Sequence, residues 1–211
     1  MTRNAATVML GAWLLTTSLP ARAAAIVNGS FEDEVRSADT FCITIADPFC
    51  PAITGWTGAF YLVNGTPGPI TPPTPVPDGS QIVMVQNTNA IQQSIPIDVA
   101  GNHQLSWWDA GRAAFIGAGG NESYDVSLDG EVLGSFSTTT GSAWAFHSLI
   151  FAAEAGVFTL EILGTTPFGN GDHSVLLDDF VLEPAPEPTA LAANAAALAL
   201  LVCLRRGATR R

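Results

Sequence analysis

The chain has 211 residues and a formal net charge of −11 at pH 7, from 19 acidic and eight basic residues. Six of the eight arginines lie within the first 22 and the last seven residues, so the region between them combines two arginines with all 19 acids, a net charge of about −17. Such an acidic body excludes binding to nucleic acid or to an anionic lipid surface, because like charges repel.

The first 25 residues have the three parts of a secretory signal peptide. Arg3 supplies a positive charge, residues 5–19 are mostly apolar, and Ala21-Arg22-Ala23 fits the small-x-small pattern of a cleavage site. Ala23-Ala24-Ala25 fits the same pattern, and an uncleaved N-terminal anchor is the alternative. We expect residues 1–25 to be removed on export.

Between the two ends, residues 26–183 predict a single all-β domain. Short β-rich runs recur, separated by Gly, Asn, Asp and Pro, and Asp129-Gly130 predicts a tight hairpin between two of them. Their spacing favours a β-sandwich of the jelly-roll type. Residues 65–78, the proline-rich loop, contain six prolines and are expected to lie on the surface outside any central strand. The predicted strands are residues 81–86, 91–97, 104–110, 123–128, 131–137, 145–151, 157–163 and 174–182.

Two cysteines of this domain, Cys42 and Cys50, are separated by seven residues. An exported chain meets an oxidising compartment, which favours a disulfide between them. Two free thiols, or a metal site, are the alternatives. Cys203 lies in the C-terminal tail and is expected to play no part in the domain.

The last 28 residues, 184–211, consist of a proline-rich break, an uncharged run and a basic end. As a helix, the uncharged residues 189–204 would span about 24 Å, short of the roughly 30 Å hydrocarbon core of a membrane. One interpretation is a weak lasting anchor, with the arginines on the cytoplasmic side. The other is a sorting signal that holds the protein briefly and is then cut.

The order Pro186-Glu187-Pro188, apolar helix and arginine cluster resembles the C-terminal sorting tail of PEP-CTERM proteins. The resemblance implies that exosortase, a membrane protease, processes the tail near Pro186, Glu187 and Pro188, in bacteria that make exopolysaccharide. It implies an exported protein of the cell envelope or the extracellular space, anchored transiently in the inner membrane. It covers only residues 184–211.

Three short motifs of the domain carry a second resemblance. Residues 28–32 read Asn-Gly-Ser-Phe-Glu, Gly55-Trp56 follows, and Asp178-Asp179-Phe180 closes the domain. This order resembles the galactose-binding-like jelly rolls, which include several families of carbohydrate-binding modules. The resemblance implies that the first and last strands are neighbours and that a structural calcium ion joins them.

The calcium ligands that this resemblance implies are all oxygen atoms, which calcium prefers. The alternative is that the first and last acids of the set are solvated ends of edge strands. The implied ligands are the Ser30 carbonyl, the Glu32 carboxylate, the Asp78 side chain, the Gln81 carbonyl and the Asp179 side chain.

Adjacent tryptophans suggest where a saccharide would bind. Trp107 and Trp108 lie on one predicted strand, so one side chain points inward and the other outward. An outward ring can stack on the C–H bonds of a sugar. Arg112, together with Asp109, would form a polar pocket beside it. Trp56 and Trp144 are expected to pack in the core.

The sequence contains no catalytic motif that we recognise, and its three histidines are isolated. We therefore expect a non-enzymatic protein that binds exopolysaccharide. One alternative is a structural matrix protein whose acidic surface is bridged by calcium and which has no saccharide pocket. A glycan hydrolase that uses two carboxylates is the other alternative.

Overall fold

The computed structural model describes residues 26–44, 49–113, 118–119, 121–169 and 171–185. The predicted all-β sandwich is confirmed, since these residues form two sheets and no helix. The predicted signal peptide, the Pro-Glu-Pro motif and the predicted helix 189–204 lie outside the described residues. Within the described part of the chain, no helix has the length and hydropathy that a membrane span requires.

The described residues contain twelve strands, and the eight predicted strands are all among them. The strands are β1 (Thr40–Ile43), β2 (Thr57–Gly58), β3 (Tyr61–Asn64), β4 (Gln81–Gln86), β5 (Ala90–Ile97), β6 (Gly101–Gly111), β7 (Ala118–Gly119), β8 (Ser123–Leu128), β9 (Glu131–Ser137), β10 (Ala145–Ala153), β11 (Gly156–Gly164) and β12 (Asp172–Pro184). The sequence pattern does not predict β1, β2, β3 and β7, because two to four residues are too few to show a period of two.

Strand order places β6, β10 and β12 at one side of the larger sheet. The seven-stranded sheet has the order β1-β3-β4-β12-β6-β10, and β7 pairs with β12 in parallel. The five-stranded sheet has the order β2-β5-β11-β8-β9. Strand β10 therefore lies at one edge of the seven-stranded sheet, and β9 lies at one edge of the five-stranded sheet.

The predicted hairpin and disulfide are both present. Asp129 and Gly130 join β8 to β9 with φ values of 47° and 83°, the left-handed geometry that a tight hairpin requires. Cys42 of β1 and Cys50 form a disulfide with their Cα atoms 5.4 Å apart. The disulfide links β1 to the segment that leads into Trp56, which is buried as predicted.

Apolar side chains fill the space between the two sheets, and a second cluster lies outside them. The second cluster covers the outer face of the seven-stranded sheet over β3, β4 and the first half of β12. Ile70 and Val76 of the proline-rich loop pack on it, together with Trp144. The loop is therefore no simple surface excursion, because it covers half of the outer face of this sheet.

A buried acid gives the folded domain a testable pH dependence. Burial raises the pKa of Glu122, which is 1 % exposed and whose Oε1 accepts the Thr166 N–H at 3.0 Å. Because the pKa is higher in the folded state, the Glu122 carboxyl stabilises the fold at pH values below its ordinary pKa of 4.5. This stabilisation is lost as the pH rises through the raised pKa.

We predict that Glu122→Gln stabilises the domain at pH 7 relative to the wild type, by roughly 1.4 kcal/mol for each unit of pKa shift. The advantage should fade as the pH falls below 4.5, because the wild-type carboxyl is then increasingly protonated in the unfolded state as well. Urea unfolding of both proteins at several pH values measures it. An advantage that is constant with pH would show that Glu122 is not protonated more readily in the folded state.

Candidate functional site

The outer face of the seven-stranded sheet is covered on one half and uncovered on the other. The uncovered half, which we call the open face, consists of the outward side chains of β6, β10 and the end of β12. Register places Phe146 opposite Trp108, Ser148 opposite Ser106, and Ile150 opposite Gln104. Phe146 is 54 % exposed and Ile150 is 64 % exposed. The open face is therefore an aromatic and aliphatic surface with interspersed polar groups, which include the exposed Glu183 of β12.

The two adjacent tryptophans point to opposite faces, as predicted. Trp107 is 0 % exposed and lies in the main core, so its assignment as a ligand-binding residue is wrong. Trp108 is half-buried, and its ring meets that of Phe146 edge-on at a centroid distance of 5.3 Å. Of the two predicted rings, Trp108 alone is placed to meet a ligand on the open face.

Arg112 is also not available to a ligand, and the predicted pocket with Asp109 does not exist. Arg112 is 4 % exposed, and its guanidinium donates to the Pro69 carbonyl from Nε and Nη2 at 3.0 and 2.8 Å. Its Nη1 lies 3.4 Å from the Ser174 hydroxyl. The side chain therefore holds the proline-rich loop against the sheet.

Asp109 points into the core instead. Its Oδ2 accepts the Tyr124 hydroxyl at 2.7 Å, and its Oδ1 lies 2.9 Å from His147 Nε2. Tyr124 in turn accepts the Trp107 indole N–H at 3.0 Å. Burial, and then the charge of Asp109, raise the pKa of Tyr124, so the hydroxyl remains a donor. This network fixes Trp107 on the inner face and thereby sets Trp108 on the outer one.

Two further contacts fix the proline-rich loop at the border of the open face. The Trp144 indole donates to the Pro73 carbonyl at 2.8 Å, and the Asp78 N–H donates to Asp178 Oδ2 at 3.0 Å. Trp144 is half-buried against the second cluster, which agrees with its predicted packing role. The loop therefore forms a fixed rim beside Trp108.

A bulge in β12 brings its adjacent acids to this rim. The pairing of β12 with β6 shifts between Asp178 and Val181, and Asp179 has a φ of 53°. Burial raises the pKa of Asp178 to about 8. Burial and the charge of Asp78 raise the pKa of Asp179, and the Trp108 side chain, which lies beside this carboxyl group, opposes the rise. Asp179 therefore lies beside the half-buried Trp108 at the border of the open face.

Glu32 and Gln81 join the start of the domain to β4. Glu32 Oε1 accepts the backbone N–H groups of Ser80 and Gln81 at 2.6 and 2.5 Å. Gly79 makes this approach possible, because a Cβ atom there would lie 2.3 Å from the Glu32 carboxyl carbon. The Gln81 side chain donates to the Phe31 and Glu34 carbonyls at 2.6 and 2.7 Å.

The first and last segments of the domain are neighbours, as the resemblance implied. The Phe180 N–H of β12 donates to the Gly29 carbonyl at 3.0 Å, and a Cβ atom on Gly29 would lie 2.1 Å from the Phe180 oxygen. Ser30 lies in the turn that the Phe31 N–H closes on the Asn28 carbonyl. The Asn-Gly-Ser-Phe-Glu motif therefore has a structural explanation in this contact.

The described residues give the predicted calcium site little support. Asp78 and Asp179 interact, whereas the Glu32 carboxylate is engaged by backbone N–H groups. Among the described residues, no group of three or more His, Cys, Asp or Glu side chains is arranged to hold a metal ion. The shared coordination by Glu32, Asp78 and Asp179 does not fit this arrangement, and calcium binding stays a prediction.

Phe146 and the side-chain role of Gln81 were not predicted from the sequence. The run Ala145–Ala153, in which apolar residues occupy both faces of a strand, could have drawn attention to Phe146, but such a pattern equally fits a strand that is covered on both faces. Gln81 gave no comparable signal, because its partners Phe31 and Glu34 lie some 50 residues earlier in the chain.

Comparisons with known proteins identify the fold and no closer relationship. No protein-family model matches the chain, and no curated protein sequence matches it. A Stig cyclase, FisC from Fischerella sp. TAU, solved in complex with (3Z)-3-(1-methyl-2-pyrrolidinylidene)-3H-indole, superposes with a TM-score of 0.54 at 15 % identity, over 78 % of this chain and 100 % of that one. The apo form of a cyclase from Fischerella sp. gives 0.55 at 13 % identity, over 79 % and 98 %. The chain shares their fold.

Carbohydrate-binding modules are also among the similar structures. One of them, a module solved with β-1,4-galactotriose, covers 80 % of this chain and 100 % of its own at 14 % identity, with a TM-score of 0.44. A similarity this distant does not transfer a binding site, so the open face must be judged on its own contacts.

Proposed function

We propose that the domain is a non-enzymatic saccharide-binding module, and that it binds its ligand on the open face. The observation that carries this proposal is the half-buried Trp108, which meets the exposed Phe146 on a sheet face that the proline-rich loop leaves uncovered. An aromatic ring in this position offers a sugar a flat apolar surface for its C–H groups.

Polar groups around the two rings supply the hydrogen bonds that orient a sugar. Ser148 and Gln104 lie on the same face, and the Asp179 carboxylate borders Trp108. Hydroxyl, amide and carboxylate groups are the usual partners of sugar hydroxyls, and a few of them suffice to fix a ligand on an apolar surface.

The charge of the domain limits the class of saccharide. Its 18 acids against two arginines give a net charge of about −16, which repels anionic polysaccharides unless cations bridge the two. We infer that the ligand is a neutral glycan. We further propose that the protein is exported and sorted by an exosortase-type protease through residues 184–211, which would place this module at the cell envelope or outside the cell, beside exopolysaccharide.

Substitution of the two outward rings tests the saccharide proposal. Trp108→Ala and Phe146→Ala should each weaken binding to a neutral polysaccharide about tenfold or more, because each removes a stacking surface. Affinity electrophoresis of the purified exported protein in gels that contain single polysaccharides measures the change, with and without a chelator.

Phe168→Ala is the control, since Phe168 is a ring that is even more exposed (76 %) than Phe146 and lies in the loop before β12, away from the open face. Its binding should equal that of the wild type. Binding that persists in Trp108→Ala and is lost with the chelator would contradict the open-face proposal and favour the calcium-bridged matrix protein. Hydrolysis of a polysaccharide in the panel would favour the enzyme.

A further inference from the structure

The two sheets are open to solvent along the side where β9 and β10 form their edges. Several side chains that point between the sheets here pack on the main core and yet remain only half-buried. In a closed sandwich the opposite sheet would cover them. They are Leu133, Phe136, Leu149, Phe151, Ala153 and Phe158.

One end of this opening forms a cleft of about 510 Å³, which we call the edge cleft. Leu128, Leu133, Phe151 and Phe158 supply apolar side chains to its lining. The volume lies in the range that small organic ligands occupy, about 300–1,000 Å³. The edge cleft opens on the inner side of β10, whereas the open face lies on its outer side, so the two sites are distinct.

Acidic side chains line the same cleft. Asp129, Glu131 and Glu154 are all exposed there. The two arginines of the domain lie elsewhere, since Arg112 is buried under the proline-rich loop and the Arg36 N–H donates to Gln81. The edge cleft therefore combines an apolar lining with a negative potential that no nearby arginine compensates.

We propose that the edge cleft binds a small organic cation with an apolar body, such as an aryl-alkylammonium ion. The apolar part of such a ligand covers half-exposed core side chains, and its positive group lies among the three carboxylates. An anion of the same shape would be repelled, and a neutral molecule would gain only the apolar contact. The aromatic rings of Phe151 and Phe158 add attraction for a cation.

Three ligands with one apolar body and different charges test this proposal by NMR titration of the purified exported protein. 4-Phenylbutylammonium should bind saturably and shift the signals of Leu133 and Ala153. 4-Phenylbutanol should bind more weakly at the same residues, and 4-phenylbutyrate should bind most weakly. Shifts that do not saturate, shifts that are confined to other residues, or equal affinity for the ammonium and the carboxylate would overturn the proposal.

Charge-neutral variants separate the two parts of the site. Glu131→Gln combined with Glu154→Gln should lower the affinity for the ammonium ligand about tenfold. The same variant should leave the affinity for the alcohol unchanged. Asp33→Asn combined with Glu183→Gln is the control, because it removes two exposed acids that do not line the cleft; it should change the ammonium affinity less than twofold. Equal effects of the two double variants would contradict the proposal.

Discussion

Trp107→Ala is expected to lower the free energy of unfolding by about 3–5 kcal/mol, the usual cost of deleting a large buried aromatic side chain. Trp107 is fully buried, its ring stacks on Phe180 at 6.2 Å, and it meets Phe136 edge-on at 4.9 Å. The substitution also removes the indole N–H that donates to the Tyr124 hydroxyl. A buried polar group that loses its hydrogen-bond partner lowers the free energy of unfolding.

Trp108→Ala is the matched control, since it deletes the same side chain one residue later on the same strand. We expect it to cost about 1 kcal/mol, because the ring is half-buried and loses mainly its contact with Phe146. Urea unfolding of the three proteins measures both values. Equal losses in the two variants would contradict the assignment of Trp107 to the core and of Trp108 to the open face.

Gln81→Ala is expected to destabilise the domain by a similar amount, about 3–5 kcal/mol, through lost hydrogen bonds. The Gln81 side chain is fully buried and satisfies three backbone groups, the Phe31 and Glu34 carbonyls and the Arg36 N–H. Each group left without a partner costs roughly 1–3 kcal/mol. Gln81→Glu should also destabilise, because its second oxygen would face two carbonyls.

Gln92→Ala is the control for this change, since Gln92 of β5 is only half-buried and bonds to the Glu161 side chain. It should cost less than about 1 kcal/mol. Hydrogen exchange provides a local readout: in Gln81→Ala the amides of residues 26–36 should exchange faster than those of β8 and β11. Uniform acceleration through both sheets would contradict a local role in attaching the first residues of the domain.

The strands could be predicted where local patterns were long enough. β4, β8 and β9 have the predicted bounds, because Asp129-Gly130 marks the turn between β8 and β9 and apolar or alternating residues fill the strands. The disulfide followed from the spacing of Cys42 and Cys50 and the expected export of the chain. The short strands β1 and β3 could not be predicted, since β3 depends on its pairing with β4, and β1 on its pairing with β3.

The candidate site was harder to predict because it depends on which neighbours cover a face. The sequence predicts that the Trp107 and Trp108 side chains point to opposite faces of the sheet. Which of them points inward is determined by the hydrogen bonds that join Trp107, Tyr124 and Asp109. Arg112 resembles a ligand-binding residue in sequence, and only the position of Pro69 shows that it anchors a loop. Such contacts connect residues 15 to 43 positions apart, beyond the reach of any local pattern.

The central claim, that the open face binds a saccharide, can be tested most directly by mapping a bound oligosaccharide on the wild-type protein. The titrant is a neutral oligosaccharide derived from a polysaccharide that slows the protein in affinity electrophoresis. It should shift the NMR signals of the Trp108 indole N–H and of the Phe146 and Ser148 amides. The signals of Trp107 and of the edge cleft should remain in place. Saturable shifts that cluster in the edge cleft or at the disulfide, with Trp108 unmoved, would contradict this account.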